Sequence, residues 1–520
     1  MSRAIFKHST VVGLVTLLSR ITGLVRDVAI AQAFASAALR DAFLVAFKIP
    51  NFLRRLYAEG SFAQAFVPVI SEYRQLRTRE EVRTLISASV GTLGVCFGLA
   101  ALAGVAGAPF LVRVYAPGFV QDPAQLALTI QLVRFTFPYL VCVVITALLS
   151  SVLNSYERFA LPVFTQVALN LMLIFTALVL AMHSAEPGQV LALGVLAAGS
   201  VQVLLQLPAL KRLGLLGWPR WRWQHEGVRR MFARILPGIL GSSMLQLSLV
   251  LDTVFASLLA TGSVSWLYFA DRLMEFPLGL VGIALATVTL PGLAKLHTQG
   301  SAAGFSRVID FSLRLTLLLA VPAAVGLLCF SGPITASVFG YRHFSAFDVQ
   351  MAAAALAAYA PALMMFSLVK VLVPGFFARH DTRTPVRAGL VGLAVNVALN
   401  AVLSLTPLKT HLQAPHILLA LSTGVGATLN ALLLWQGLRR SGVYRPEGRW
   451  LLLLLRIAIA CAVMAAFLLW FSGAPEAWLL LHAGARILRC SIGIAGGALA
   501  YAVVLLMLGL RYRDVFASPL

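Results

Sequence analysis

Apolar stretches near or above the eighteen residues that mark a membrane-crossing helix recur along the whole chain, and loops, Pro or Gly clusters and charges punctuate them about fourteen times. The composition agrees. With 60% hydrophobic and 12% charged residues and a mean hydropathy of +0.89, the chain lies far outside soluble globular usage. The pattern predicts an all-α polytopic membrane protein with spans near 8–35, 40–70, 85–112, 126–153, 160–183, 188–210, 230–260, 264–294, 306–331, 347–378, 385–406, 414–438, 450–472 and 480–510.

A net charge of +22 raises nucleic acid as a partner, but the basic residues fall on alternate loops. SEYRQLRTREEVR (71–83), KRLGLLGWPRWRWQHEGVRR (211–230), ARHDTRTPVR (378–387), RRSGVYRPEGRW (439–450) and RYRD (511–514) are rich in Lys and Arg. The loops between them, such as HSAEPG (183–188), ATGS (260–263) and SGAPEAW (472–478), have almost none. By the positive-inside rule the first set is cytoplasmic, and an even number of crossings puts both termini there too. Trp218, Trp221 and Trp223 among the arginines then read as an interfacial anchor and not as a base-stacking platform.

Arg3 and Lys7 before VVGLVTLL resemble a signal peptide, but Arg20, Arg26 and Asp27 interrupt the pattern, so the segment is expected to be an uncleaved first helix. Cys96, Cys142, Cys329, Cys461 and Cys490 lie in apolar segments without metal-like spacing and are expected to be buried, reduced packing residues.

The chain repeats itself. Pro68 in FVPVISEY maps to Pro291 in TLPGLAKL, Pro138 to Pro361 and Pro162 to Pro385, each at a displacement of 223 residues. GAPFLVRVYAPGF (107–119) maps to SGPITASVFGYRHF (331–344) with one residue inserted. Each copy spans about six helices, and an even number of crossings gives the second copy the orientation of the first. Parallel six-helix halves are a transporter signature, with the substrate site between them. The expected division is a first lobe at 1–222, a second at 223–440 and a separate helix pair at 441–520.

Ionisable groups inside these spans cost roughly 2.5 to 3.5 kcal/mol each on insertion scales, so each must face protein, water or a partner. The first span carries Arg20, Arg26 and Asp27, with Gly23 able to relax the helix. In the second, DAFLVAFKIPNFLRRLYAEG sets Asp41, Lys48, Arg55 and Glu59 along one face, with Arg54 adjacent and Pro50 expected to kink the helix. The eighth, which the repeat aligns with the second, carries Asp271, Arg272 and Glu275, and the tenth adds Lys370. Any one of these is also explained as an ion pair tying helices together. As a set, basic groups outnumber acidic ones and concentrate on equivalent helices of the two halves. A cavity there would be net positive, and arginine's rigid fork suits phosphate and carboxylate oxygens, which points to an anionic, phosphate-bearing cargo. No HExxH, CxxC, Walker or strand-borne GxSxG motif offers an enzyme reading, and GVGATLN at 424–430 reads as small-residue helix packing.

SRITGLVRDVAIAQAFA, DAFLVAFKIPNFLRRLYAEGSFAQAFVPVISEY, APGF, GSVSWLYFADRLMEFPLGLVGIALATVTLP and VKVLVPGFFARHDTRTPV together closely resemble the MurJ (MviN) family of bacterial lipid II flippases, within the multidrug/oligosaccharidyl-lipid/polysaccharide exporter superfamily. The similarity runs over essentially the whole chain. It implies two six-helix lobes around a cationic cavity, and an extra C-terminal helix pair forming a hydrophobic groove for the undecaprenyl chain. The implied function is to flip the undecaprenyl-diphosphate-linked peptidoglycan precursor, lipid II, from the cytoplasmic to the periplasmic leaflet of the bacterial inner membrane. The family's essential cavity arginines resemble Arg20, Arg26, Arg54 and Arg272, and Asp41, Arg55, Glu59, Asp271, Glu275 and Lys370 match its polar positions. Some members bind sodium between helices 7 and 11, where Asp252 with Asn396 or Asn400 are the candidates here.

No cofactor is expected, and without a nucleotide site the drive is a coupling ion, sodium or proton, or the membrane potential. Lipid II and membrane lipids are the expected partners, nucleic acid is not, and the cell-wall synthesis machinery is a further candidate. The rival reading is a MATE-like multidrug exporter or an exporter of another lipid-linked oligosaccharide. A site for cationic drugs should be acidic, whereas this one is basic.

Overall fold

The computed structural model describes residues 3–58, 61–286, 301–406, 413–446 and 450–510, together with Leu293, Leu296 and Gln299. Among them the chain is helical throughout. The first repeat supplies α1 (Arg3–Ala33), α2 (Ala37–Ala58), α3 (Ser61–Leu76), α4 (Arg79–Ala106), α5 (Ala108–Tyr115), α6 (Pro123–Thr136), α7 (Tyr139–Ser155), α8 (Ala160–Phe175) and α9 (Pro187–Arg212). The second supplies α10 (Glu226–Ser257), α11 (Ser263–Ala286), α12 (Ala302–Phe339), α13 (Ala346–Phe377), α14 (Arg383–Leu405) and α15 (His416–Arg440). Beyond them come α16 (Trp450–Ser472), the short α17 (Pro475–Leu480) and α18 (Ala483–Met507).

Ten helical stretches among the described residues are long and apolar enough to cross a membrane. The expected spans at 8–35, 40–70, 230–260 and 264–294 are not among the ten, yet each falls largely on described helix, with 59–60, 287–292 and 294 outside the described residues. Those four hold all the expected interior charges except Lys370, which lies on the tenth expected span.

The repeat is visible in the helix boundaries. α4 and α12 begin at Arg79 and Ala302, α6 and α13 at Pro123 and Ala346, and α8 and α14 at Ala160 and Arg383, each pair 223 residues apart. The caps recur as well. Thr78 and Ser301 each accept from a backbone N–H of the first turn that follows, as do Asp122 and Ser345, which satisfies donors that a helix N-terminus leaves open. A break recurs too. Gly107, between α4 and α5, has φ −81° and ψ 4°, and Phe330, at the equivalent place, interrupts α12 with φ −121° and ψ 16°. Pro162 and Pro385 are both the third residue of their helices, where a missing N–H costs nothing. The Pro138 match is looser: Pro138 sits at the break before α7, whereas α13 runs unbroken through Pro361. Pro291 lies outside the described residues. α1 likewise runs unbroken past Gly23, and α2 past Pro50.

The chain forms two compact units, Met1–Ser265 and Trp266–Leu520. In the first, α1 packs on α8, α2 on α6, and α7 on α3, α4 and α9, while α10 lies against α2 and α3. In the second, α12 packs on α13, and α15 on both α13 and α14. Gly392 and Gly426 make the α14–α15 contact close: a Cβ on either would lie 2.6 Å from the other's carbonyl oxygen, which is the small-residue packing expected of GVGATLN. α16 and α18 pack on each other and on α12. All five cysteines are unpaired. Cys461 and Cys490 are buried, whereas Cys96, Cys142 and Cys329 are only half-buried.

Candidate functional site

In the first unit the charges of α1 and α2 divide into a buried set and an accessible set. Arg26 and Asp27 are buried at 7% and 0% exposure. Arg26 donates from Nε and Nη2 to Asp27 Oδ1 at 3.0 and 2.7 Å, and from Nη1 to Asn170 Oδ1 on α8 at 3.1 Å. Asn170 in turn donates from Nδ2 to Ser19 O and Thr22 Oγ1, both at 3.1 Å. This network crosses the α1–α8 interface and fixes the guanidinium 5.6 Å over the Phe47 ring. Arg20, almost two turns earlier, is exposed.

Asp41 is also buried, at 1% exposure. Its Oδ2 accepts the Gly262 N–H at 2.7 Å and its Oδ1 the Ser265 N–H at 2.8 Å. The carboxylate therefore caps the N-terminus of α11, where the helix dipole favours negative charge. Lys48, half-buried, donates to Thr253 Oγ1 on α10 at 3.0 Å. Half-buried Arg54 donates to Asn51 Oδ1 at 3.1 Å. Arg55 belongs to α2, but its side chain lies outside the described residues, and Glu59 lies outside them altogether.

In the second unit Arg272 pairs with Glu275 at 2.6 Å, and its guanidinium stands 5.9 Å from the Tyr268 ring. The two side chains are 27% and 37% exposed, and Asp271 beside them is half-buried. Exposed Lys370 on α13 donates to Leu278 O of α11 at 3.4 Å, so the tenth expected span brings its ammonium to the charged helix.

Of the sodium candidates, Asp252 is half-buried on α10 in the first unit, and the two asparagines are buried on α14 in the second. Asn400 donates to Asn396 Oδ1 at 2.8 Å and accepts from Ser422, while Asn396 donates to Thr423 Oγ1 at 3.0 Å. These amides knit α14 to α15. Their oxygens already accept protein donors, and no cluster of three His, Cys, Asp or Glu that could hold a metal occurs among the described residues.

Sequence reasoning passed over several polar residues that the fold uses. Asn170 is a buried amide in a mostly apolar helix, which was the available signal. Arg486, buried at 4% exposure, donates to Ala336 O and Leu481 O at 3.0 and 2.9 Å and to Gly340 O and Leu479 O, binding the end of α12 to the start of α18. Outside the spans, Trp218, Trp221 and Trp223 are exposed, on a linker held along α4 by Arg220 N–H to Ser87 O at 3.1 Å and Arg222 N–H to Thr92 Oγ1 at 3.2 Å.

The model of the family described as lipid II flippase MurJ matches residues 30–487. The chain belongs to the MurJ family. A probable lipid II flippase MurJ from Vibrio cholerae is 39% identical, with 100% of this chain and 99% of the relative covered. The lipid II flippase MurJ of Burkholderia cenocepacia is 41% identical over 88% of each. Among solved structures, a MurJ in an inward closed conformation matches with a TM-score of 0.76 and 21% identity, covering 97% of this chain and 99% of that one. An inward-facing MATE family transporter matches with a TM-score of 0.69 and 11% identity, covering 84% and 98%. At these identities the two structures establish the shared exporter fold. Membership of the MurJ family makes the chain a multi-pass inner-membrane transporter and not an enzyme, and the MATE-like alternative has only the shared fold behind it.

Proposed function

We propose that this chain carries lipid II, the undecaprenyl-diphosphate-linked disaccharide-pentapeptide, from the cytoplasmic to the periplasmic leaflet by alternating access. The observation that carries this reading is end-to-end similarity to relatives named for that activity. The interior charges add to it. Arg20, Arg54 and Arg272 lie exposed or half-buried in helices that are otherwise apolar, as groups meant for a hydrated anion would, and their forks match diphosphate oxygens. Lys48, Arg55, Glu59, Asp271, Glu275 and Lys370 complete the substrate-binding set. Arg26 and Asp41 serve it from behind, by holding α1 to α8 and by starting α11.

The lobes in this reading are 1–222 and 223–440, with both termini cytoplasmic. Single cysteines within 211–230 should react only with reagents that reach the cytoplasm, and labelling of intact cells by an impermeant reagent would reverse the topology. Residues 441–520 hold the isoprenoid tail. α16 and α18 turn Leu451, Trp470, Leu488, Leu499 and Leu506 outward, each at least 60% exposed, which is an apolar surface suited to a prenyl chain.

The membrane potential drives the cycle. A headgroup with about two negative charges gains roughly 2.3 kcal/mol per charge per 100 mV on leaving a negative interior, and the emptied, net positive cavity is drawn back. Flipping undiminished after an ionophore collapses the potential, with sodium and proton gradients held fixed, would reject this drive. Loss only on sodium removal would turn attention to Asp252. The function itself is tested by depletion: lipid-linked precursor should accumulate on the cytoplasmic leaflet, and an unchanged distribution would overturn the proposal.

A further inference from the structure

Each repeat ends in a linker that docks on the same turn of its third membrane helix. In the first, Arg83 Nε donates to Leu216 O at 3.0 Å, Ser87 Oγ to Trp218 O, and Arg220 N–H to Ser87 O at 3.1 Å. In the second, Ser306 Oγ donates to Arg445 O at 3.0 Å and accepts from Arg445 N–H at 2.9 Å. Asp310, one turn on, receives Tyr444 OH and Trp450 Nε1, both at 2.9 Å on Oδ1. Ser306 and Asp310 stand 223 residues after Arg83 and Ser87. The docking place is therefore the same in both repeats, and its chemistry differs: a carboxylate stands where the first repeat has a hydroxyl.

That difference is costly unless it serves something. Asp310 is 4% exposed, and a carboxylate at such a site must be paired. Arg314, one turn along α12, pairs with its Oδ2 at 2.7 Å and lies 5.3 Å over the Trp450 ring. Arg314, Tyr444 and Trp450 thus converge on one anion, and Trp450 is the first residue of α16. The first linker leads into α10, another helix of the repeat. The second leads into the extra pair, and beyond this linker the pair is held by its packing on α12 and by the Arg486 contacts at the other end.

We propose that Asp310 is a positioning residue for transport: through Tyr444 and Trp450 it sets the angle at which α16 and α18 stand to α12, and so places the surface that takes the substrate's prenyl tail. This rests on the tail-binding reading of that pair. Asp310 touches no substrate. Its effect must therefore depend on tail length, which a general structural role would not.

The test reconstitutes full-length protein in vesicles and compares transport of lipid II bearing the undecaprenyl tail with transport of a short-prenyl analogue. The Y444F/W450A double variant removes both donors to Asp310 and leaves the Asp310–Arg314 pair in place. Loss of two buried hydrogen bonds should lower full-length transport about tenfold or more, with short-prenyl transport unchanged. D310N, which keeps an acceptor but loses the ion pair, should show the same selectivity. Spin labels at exposed Leu319 on α12 and Leu451 on α16 should report a broadened distance distribution in both variants. Equal loss for both lipids, or an unaltered distance distribution, would overturn the assignment. Wild-type protein that moved neither lipid would count instead against the function proposed above, and the distance measurement would still decide the role of Asp310.

Discussion

Replacing Asp41 with Ala should unfold before it misfunctions. The carboxylate is 1% exposed and accepts two backbone N–H groups, from Gly262 at 2.7 Å and Ser265 at 2.8 Å. Both donors are buried and in a turn where Gly262 has a φ of +102°, a conformation that depends on glycine. Hydrogen bonds to a charged group contribute about 1.5–3 kcal/mol each, and loss of a cap residue costs about 0.5–2 kcal/mol in ordinary hosts. Taken together, Asp41→Ala should cost about 2–4 kcal/mol, which lowers the melting temperature by roughly 5–10 °C for a unit of this size. Asp41→Asn, which keeps one acceptor oxygen, should fall about halfway. Thermal unfolding in detergent, followed by loss of the helical circular dichroism signal, reads this directly, and flipping activity is measured on the same preparations. An unchanged melting temperature with flipping abolished would refute the capping role and return the carboxylate to the cargo site.

The other predictions separate roles in the same way. Arg20→Ala, Arg54→Ala and Arg272→Ala should abolish growth complementation at normal abundance, with Lys rescuing poorly because a point charge does not replace a fork; Arg26→Ala should instead reduce abundance, as should Asn170→Leu, and immunoblots beside growth curves decide. Gly426→Ala should destabilise the second unit by about 1–3 kcal/mol, because its Cβ would meet the Gly392 carbonyl and backbone cannot yield as a side chain can; an unaltered melting curve would show that the helices part freely. Asp381, in the loop before α14, accepts the Thr384 hydroxyl at 2.7 Å and the Thr384 and Arg383 N–H groups at 3.0 and 3.1 Å, and these bonds, the Thr384 hydroxyl foremost, hold its carboxyl below the usual range. A carboxylate with a depressed folded value stabilises the protein above its unfolded pKa and loses that contribution as pH falls through the folded one. Wild type should therefore melt higher than Asp381→Asn at neutral pH, with the gap closing in acid; a gap that grows in acid would reverse the sign.

The architecture was legible because apolar length and loop charge are local properties that a bilayer reads residue by residue. The repeat was legible because Pro138 and Pro361, and Pro162 and Pro385, recur at one displacement, whereas the caps at Thr78 and Ser301, or Asp122 and Ser345, differ in identity and show their equivalence only in the structure. What escaped the sequence depends on long loops closing. Period 3.6 correctly puts Asp41 and Lys48 on one stripe, but it cannot say that Asp41 meets Gly262 and Ser265 while Lys48 meets Thr253. For Arg26, read as a cavity arginine, the sequence could not show that Asn170, 144 residues away, accepts from its guanidinium. Proline was an uneven guide, since Pro138 sits at a break and Pro361 inside α13. The four expected spans outside the ten helices that pass a test of length and apolarity include the first, second and eighth, which carry most of the interior charge. Composition is least decisive in spans that carry interior charge.

The central claim is that the basic groups of α1, α2 and α11 carry a diphosphate-linked headgroup across the bilayer. It is tested most directly by reconstituting purified protein in vesicles that contain labelled lipid II and an imposed potential, negative inside. The labelled headgroups that become accessible to an impermeant modifying reagent outside are then counted over time. Wild type should expose the inner-leaflet pool well above the protein-free rate, and Arg272→Ala, at equal incorporation, should return the rate to that background. Wild-type exposure no faster than protein-free vesicles, or an undiminished rate in Arg272→Ala, would contradict it.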